Sequence, residues 1–299
     1  MRKLGKFLLT LSMSLIIVYG AQRFCRAQTD GFALCKIRST LPYEPMWEPS
    51  TSPEEEKARQ ILSKPLHYLG KGAQCYVFSS DDEEHVVKFF RIYHLRPPIW
   101  LKFAPNIFSL AQYKLDKVQQ KDQELYTDFG SYKIAFDELK NETGLEYLHL
   151  NKTDAIHTTI TLYDKIGVVH TLDADSMEFL IQKKAKPFYP ELERLIDANR
   201  AKAKEALSQF VHILISRSVK GIFDKDPDIN TNFGFIGDTP IQIDVGRFRR
   251  DPSRKDPSIY RDDLIKITDS LCQWLETKDP ELALFLKEQI QQNNSNPST

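Results

Sequence analysis

The sequence predicts an α+β fold, because runs typical of strands come first along the chain and helical patterns come later. The predicted strands cover residues 74–79, 85–90, 157–163, 166–170, 179–183 and 240–245. The predicted helices cover residues 132–143, 189–216, 259–276 and 280–290. Strands and helices do not alternate regularly, which disfavours a parallel sheet built from repeated βαβ units.

The composition is that of an average soluble globular protein. The 299 residues are 41% hydrophobic and 27% charged, and 41 basic residues balance 41 acidic ones. This balance gives no reason to expect nucleic acid as a partner. The four cysteines and seven histidines show neither C-x-x-C nor H-E-x-x-H spacing, so no zinc site is expected.

Residues 1–24 predict a signal sequence or a single membrane anchor. Arg2, Lys3 and Lys6 precede an uncharged run over residues 7–22, a pattern common to both kinds of segment. The run is short for a transmembrane helix and lacks a well-formed cleavage site, so an anchor and a cleaved signal are both open. We therefore expect a membrane location with the lipid bilayer as a partner, or export if the segment is cleaved.

Two further stretches have compositions that argue against packed elements. Closely spaced prolines and serines make residues 25–64 a predicted linker. Residues 291–299 are polar and rich in Asn, Gln and Ser, which predicts a disordered tail. The stretch between them is long enough for one domain and contains both helical and strand patterns.

The first residues with possible chemistry are two glycines and a lysine. Gly70 and Gly72 precede Val77 in a hairpin whose backbone could close over phosphate, since a side chain would keep the N–H groups from the oxygens. Lys88 lies in an otherwise apolar strand and needs an anionic partner, which nucleotide phosphates would supply. The alternatives are an ordinary glycine-containing turn and a solvent-facing lysine.

The second group of such residues lies far downstream. A loop rich in Asp and Asn follows one apolar run, and Asp244 opens an Asp-x-Gly sequence at the end of the next. Hard oxygen ligands from two adjacent loops are what a Mg²⁺–phosphate site requires. A surface turn is the alternative. A calcium EF-hand is excluded, because its sixth and twelfth positions, counted from Asp224, hold Ile229 and Phe235.

Together and in this order, these pieces resemble the protein-kinase-like fold, including its aminoglycoside-phosphotransferase-like members, over about residues 66–290. The resemblance implies two lobes. A small antiparallel-sheet lobe would cover residues 65–182, with a long insertion at 92–131. A reduced helical lobe with catalytic-type loops would cover residues 183–290.

The resemblance also implies which residues bind the nucleotide. Gly70, Gly72 and Val77 fit the glycine-rich loop. Lys88 fits the lysine that pairs with the α- and β-phosphates. Gln182 lies where the fifth strand runs into the hinge against which adenine packs.

The remaining implied roles belong to acidic and amide side chains. Asp226 would be the catalytic base, and Asn232 and Asp244 would be the metal ligands. Either Glu138 or Glu142 would pair with the family's nucleotide-binding lysine. ATP and Mg²⁺ are the cofactors that this resemblance implies.

The catalytic-type loop departs from the family pattern. Asp224 stands where the family usually has His, and Asn232 lies one residue further from Asp226 than usual. Asp224 and Asp228 therefore remain alternatives for the base. With the predicted N-terminal anchor, the resemblance implies a membrane-anchored enzyme that transfers phosphate from ATP to an unknown protein or small-molecule acceptor. The alternative is an inactive pseudokinase that acts as a membrane-attached binding module.

Overall fold

The computed structural model describes residues 2–48, 54–105 and 108–292. Its strands are β1 (Leu66–Lys71), β2 (Cys75–Ser80), β3 (His85–Phe90), β4 (Leu145–His149), β5 (Thr159–Tyr163), β6 (Val169–Asp173), β7 (Phe179–Lys183), β8 (Lys186–Pro187), β9 (Ile222–Asp224), β10 (Phe233–Ile236), β11 (Thr239–Gln242) and β12 (Phe248–Arg250). Its α-helices are α1 (Arg2–Gln28), α2 (Leu34–Ile37), α3 (Glu55–Leu62), α4 (Phe108–Glu138), α5 (Lys140–Thr143), α6 (Phe188–Ala198), α7 (Arg200–Val219), α8 (Ile229–Asn232), α9 (Pro257–Lys278) and α10 (Pro280–Gln292). Short 3₁₀ turns cover Pro45–Trp47, Ile92–Leu95, Ile99–Lys102, Ala174–Ser176 and Pro252–Lys255.

A twisted sheet forms the first lobe. In the described part of the chain it has seven strands in the order β4-β7-β3-β2-β1-β5-β6. Neighbouring strands are antiparallel except β1 and β5, which run parallel. Helices α6, α7, α9 and α10 form the core of the second lobe, with β8, β10 and β11 as a small sheet beside them. The predicted α+β fold, with a sheet lobe and a helical lobe, is confirmed.

Both faces of the large sheet are covered. On one face Phe78 and Val87 pack in a cluster with Phe32, Ile37 and Leu62 from the N-terminal region. The prediction of a linker over residues 25–64 is therefore wrong for the described part of that stretch. The apolar residues of this stretch show neither a helical nor a strand period, so no sign of packing was visible in the sequence. In the structure they nevertheless pack against one face of the sheet.

Helix α4 packs on the other face of the sheet. It has 31 residues and contributes Phe129, Ala135 and Phe136 to a cluster with Phe90 and Leu180 from the strands. The predicted long insertion over 92–131 consists of two 3₁₀ turns and, from residue 108, the first part of this helix. Its first half is mostly polar and exposed, so it lacks the apolar stripe that marks a helix in a sequence.

The single helix predicted over 189–216 is two helices, α6 and α7. The chain is extended at Asn199, with φ −160° and ψ 95°, and the Asn199 side chain accepts hydrogen bonds from the N–H groups of Ala201 and Lys202 at 3.1 and 3.3 Å. An asparagine that satisfies the free N–H groups at a helix start is a typical N-cap. The apolar stripe continues across the break, which is why it predicted one helix.

The two ends of the chain differ from their predictions. No helix in the described ranges is long and apolar enough to cross a membrane, so the predicted transmembrane helix is not supported. Helix α1 nevertheless exposes many apolar side chains, including Ile16 and Phe24. At the other end α10 continues to Gln292, and the rest of the predicted tail, 293–299, lies outside the described residues.

Candidate functional site

A cleft between the two lobes collects most of the predicted site residues. It encloses about 120 Å³. Its lining residues are Gly72, Ala73, Gln74, Cys75, Val77, Lys88, Tyr132, Asp224, Asp226, Asn232, Asp244 and Arg247. The sheet lobe thus contributes the glycine-rich loop and a lysine, and the helical lobe contributes carboxylates and an amide.

Lys88 joins the two lobes. It lies on β3 opposite Val77 of β2, and its Nζ donates a hydrogen bond to the carbonyl oxygen of Ile243, 2.6 Å away. Burial lowers the pKa of the Lys88 ammonium group, and the negative charge of Asp244 acts in the opposite direction. The anionic neighbour of Lys88 is therefore Asp244, the first residue of the Asp-x-Gly turn.

Neither glutamate predicted to pair with Lys88 does so. Glu138 forms an ion pair with Arg250, and Glu142 accepts hydrogen bonds from Ser216, at 2.7 Å, and from Lys220, at 3.4 Å. Both face the helical lobe, because α4 ends at Glu138 and the chain turns into α5. The prediction for Glu138 and Glu142 is wrong.

Tyr132 is the α4 residue that reaches the cleft. Its hydroxyl lies 3.7 Å from Cys75 Sγ and donates a hydrogen bond to Gln74 Oε1 at 3.0 Å. Burial raises the pKa values of both Tyr132 and Cys75, the latter to about 12. Both groups are neutral near pH 7, so Cys75 is a buried thiol and not a nucleophile.

Asp224 has a structural role in the catalytic-type loop. Its buried carboxylate accepts hydrogen bonds from Gln242 Nε2 at 2.6 Å and from the N–H of Asp226 at 3.0 Å, and Arg217 Nη1 lies 3.5 Å away. Burial raises the pKa of Asp224, and Arg217 opposes that change. The Asp224 carboxylate is therefore already bonded on both sides, although the residue lines the cleft.

The geometry separates the other two candidates for the base. Asp228 accepts hydrogen bonds from Asn230 N at 3.4 Å and from Thr231 Oγ1 at 2.6 Å, and it does not line the cleft. Asp226 lines the cleft with an exposed side chain. Within the described residues its carboxylate accepts no hydrogen bond, so it is the carboxylate available to an acceptor.

Asn232 and Asp244 lie side by side because their backbones are bonded. The carbonyl oxygen of Asn232 accepts hydrogen bonds from Ile243 N at 2.7 Å and from Asp244 N at 3.3 Å. Asp244 Oδ1 accepts one from Gly246 N at 3.1 Å, which closes the Asp-x-Gly turn. Carboxylate and amide oxygens are the hard donors that Mg²⁺ prefers, and the cleft offers both, although Asn232 Oδ1 also accepts a hydrogen bond from Thr231 Oγ1 at 3.0 Å.

Gln74 closes the cleft, and nothing in the sequence pointed to it. Its Nε2 donates a hydrogen bond to the carbonyl oxygen of Gly246 at 3.0 Å. A Cβ atom at Gly246 would lie 1.8 Å from Gln74 Oε1, so this approach requires glycine there. The only available signal was a polar side chain within a glycine-rich loop, which is unremarkable by itself.

Two predicted nucleotide-binding residues lie elsewhere. Gln182 is buried, and its Nε2 donates to the carbonyl oxygen of Thr143 at 2.6 Å. Its side chain does not line the cleft, because a buried amide must find a partner and here that partner is the backbone; its predicted place beside the adenine stays a prediction. Gly70 belongs to β1 and does not line the cleft either, whereas Gly72 does.

Comparison with known proteins gives structural matches only. No protein-family model matches the chain, and no curated protein matches it in sequence. It is similar to the bifunctional kinase-methyltransferase WbdD (14% identity, TM-score 0.33, covering 78% of this chain and 47% of that one). It is also similar to Rv3197 from Mycobacterium tuberculosis, solved with erythromycin, at 15% identity and a TM-score of 0.32, covering 74% of this chain and 56% of that one. A third similar structure is the gentamicin–APH(2")-IIa complex, at 13% identity and a TM-score of 0.26, covering 85% of this chain and 97% of that one.

The chain spans about half the length of the first of these structures. At TM-scores this low the overall likeness carries no argument. What the chain's own structure shows is an α+β fold with a sheet lobe and a helical lobe, and a cleft between them where a glycine-rich hairpin, a strand lysine, an aspartate loop and an Asp-x-Gly turn meet.

We predict that Arg217→Met lowers the free energy of unfolding by about 3–5 kcal/mol, because it leaves the Asp224 carboxylate buried without its cation. Urea unfolding of the variant and the parent measures this difference. The double variant Arg217→Met/Asp224→Leu should recover part of the loss, because it also removes the buried charge. A single variant within about 1 kcal/mol of the parent would show that the carboxylate does not depend on Arg217.

Proposed function

We propose that this chain is an ATP-dependent phosphotransferase that uses Mg²⁺. The observation that carries the proposal is the convergence of Lys88, Asp226, Asn232 and Asp244 on one cleft, although Lys88 comes from the sheet lobe and the other three from the helical lobe. A cation, an available carboxylate and two oxygen donors for a metal are the parts that phosphoryl transfer needs.

Each residue has a distinct task in this proposal. When bound, Mg²⁺–ATP supplies the transferable phosphoryl group with its charge partly neutralised. Lys88 would hold the phosphates by exchanging its bond with the Ile243 carbonyl for bonds to phosphate oxygens. Asp244 and Asn232 would hold the metal. Asp226 would orient the acceptor hydroxyl and accept its proton, and positioning would supply most of the rate.

The closed cleft favours a second candidate, an inactive kinase-like module that acts by binding a partner. The cleft encloses about 120 Å³, whereas small-molecule sites usually enclose roughly 300–1,000 Å³. Gln74 and Lys88 both bond across it to backbone carbonyls of the strand and turn around Asp244. In this candidate the two bonds persist and nucleotide does not enter.

The first prediction for the enzyme separates metal binding from catalysis. Millimolar ATP with Mg²⁺ should raise the unfolding temperature of the parent, because a ligand that binds only the folded state stabilises it. Asp244→Asn should weaken this shift and abolish ATP turnover together. Asp226→Asn should keep the shift and lower turnover by about 10²-fold or more.

Asp228→Asn is the matched control, since it removes a carboxylate from the same loop outside the cleft. Turnover in that variant should match the parent. If Asp228→Asn abolishes turnover while Asp226→Asn does not, the assignment of the base is wrong. If ATP gives the parent no shift, the binding-module candidate replaces the enzyme.

A second prediction concerns the closed cleft. Gln74→Ala removes the side chain that bridges to Gly246, so nucleotide no longer has to break that bond. We expect the Kd for Mg²⁺–ATP to fall by about threefold to tenfold, the value of one ordinary hydrogen bond. Gln112→Ala, on the exposed part of α4, serves as the control and should leave the Kd unchanged. A weaker Kd for Gln74→Ala would show that Gln74 helps to bind nucleotide.

We further propose that the chain contacts a lipid bilayer at its surface. Large apolar side chains are exposed at two places: Ile16 and Phe24 on α1, and Ile99, Trp100 and Phe103 around the turn before α4. The last three are 71%, 53% and 83% exposed. Exposed aromatic side chains beside basic residues are typical of segments that lie in the membrane interface.

Vesicles of mixed neutral and anionic lipid test this contact by co-sedimentation. The double variant Trp100→Ser/Phe103→Ser should lower the partition coefficient by about tenfold or more, because each ring loses its burial in lipid. Leu284→Ser, which changes a 58% exposed leucine on α10, should leave it unchanged. Equal partition of all three proteins would refute a lipid contact at this turn.

A further inference from the structure

Three cationic side chains from separate segments of the chain meet beside the glycine-rich hairpin. Arg26 lies near the end of α1, Lys36 on α2, and Arg91 directly after β3. The first two meet around Gly31, where a Cβ atom would lie 3.5 Å from both Arg26 Nε and Lys36 Nζ. Lys36 and Arg91 both contact the Tyr93 ring, with Nζ and Cζ 5.2 and 5.6 Å from its centroid. Positive charge from three segments is therefore concentrated in one place.

No carboxylate among the described residues forms an ion pair with any of these three cations. The carboxylate that is nearest in sequence to Gly31 is Asp30, and it bonds to Lys165 at 3.0 Å and to Tyr68 at 3.2 Å instead. Like charges repel, so a cluster of this kind is costly until an anion joins it. The arrangement therefore favours an anionic ligand.

The imidazole of His94 lies within the positive field of this cluster. Partial burial lowers the pKa of His94 to about 4, together with the positive charges of Arg91, Lys121, Lys36 and Arg26. Lys121 has a carboxylate partner on α4, whereas the other three cations have none in the described ranges. His94 is exposed and neutral near pH 7, so it offers an N–H donor without adding to the charge.

The donors of the cluster divide into those that are fixed and those that are available. Arg91 Nη1 donates to two carbonyl oxygens of the glycine-rich hairpin, at 2.8 and 3.1 Å, and its Nη2 donates to the Tyr93 hydroxyl at 2.9 Å. Arg91 therefore contributes its charge from a fixed position. Lys36 Nζ donates one hydrogen bond, to the Gly31 carbonyl, which leaves two N–H groups. Arg26 is exposed and donates to no described residue.

We propose that Arg26 and Lys36, with the charge of Arg91 behind them, bind a phosphate group. A guanidinium and an ammonium group with open donors are the side chains that bind phosphate oxygens, and three positive charges suit a doubly charged monoester. The phosphate has two possible sources, a lipid headgroup and a soluble phosphate. Phe24, an exposed aromatic residue two positions before Arg26, favours the lipid headgroup. Only this choice of source rests on the proposed contact with a bilayer.

The first test titrates inorganic phosphate into the full chain by calorimetry, without nucleotide or lipid and with chloride holding the ionic strength constant. We expect saturable binding to one site. Arg26→Gln/Lys36→Gln should raise the Kd by about tenfold or more, because charge-assisted hydrogen bonds are lost. Arg261→Gln removes an exposed cation from α9 in the helical lobe. It is the matched control and should change the Kd less than about twofold.

Lys88→Ala distinguishes the cluster from the nucleotide cleft and should leave phosphate binding intact. Without phosphate, Arg26→Gln/Lys36→Gln should unfold at or above the temperature of the parent, because it removes like charges that repel. If it unfolds lower, Arg26→Gln alone, which changes an exposed side chain, replaces it in the titration. The proposal is overturned if binding is not saturable, if the cluster variant or Arg261→Gln shows that Arg26 and Lys36 are not specifically needed, or if binding depends on Lys88.

Vesicles identify the source of the phosphate. Phosphatidic acid presents a phosphate monoester at the bilayer surface, and phosphatidylserine presents negative charge without one, so the two are compared at equal surface charge. Tighter binding to phosphatidic acid, lost in Arg26→Gln/Lys36→Gln, supports a lipid headgroup. Equal partition onto both overturns the lipid source and leaves a soluble phosphate as the ligand. Because the calorimetric titration contains neither ATP nor lipid, failure of the phosphotransferase or bilayer proposal leaves its result standing.

Discussion

The buried carboxylate of Asp224 is the constraint on which the site depends. It joins three parts of the helical lobe: Arg217 on α7, Gln242 on the strand that leads to Asp244, and the backbone of Asp226. A charge in this position is tolerated only while its partners stay in place. The Asp224 side chain therefore helps to hold the loop that presents Asp226 against the turn that presents Asp244, together with the backbone bonds from Ile243 and Asp244 to the Asn232 carbonyl.

The two lobes meet through bonds that a nucleotide would have to replace. Lys88 bonds to the Ile243 carbonyl, and Gln74 bonds to the Gly246 carbonyl, on either side of Asp244. Both donors belong to the sheet lobe and both acceptors are backbone atoms of one short segment. These two bonds satisfy the Gln74 amide and the Lys88 ammonium group, so a ligand that displaced them would have to offset their loss with contacts of its own.

Elements with a local signal were predictable, and elements defined by distant contacts were not. Strands β3 and β7 begin and end at the predicted residues, and α9 extends its predicted range by two residues at each end. Strand β4 was not predicted, and residues 25–64 were predicted as a linker. Both stretches pack against apolar side chains that are far away in the sequence. Such contacts leave no hydrophobic period in the local sequence.

Lys88 and Asp244 could be singled out from the amino-acid order alone, because a lysine in an apolar strand and an aspartate before a glycine stand out locally. Asp226 and Asn232 were predicted from the resemblance of their loop to the kinase pattern, and the structure places all four on one cleft. Which residue of α4 lines that cleft became clear only in the packed fold. Tyr132 lies there, and the glutamates at 138 and 142 point to the helical lobe. The rotation of a helix about its axis depends on what packs against it, and a helical stretch with apolar residues on several sides does not specify that packing.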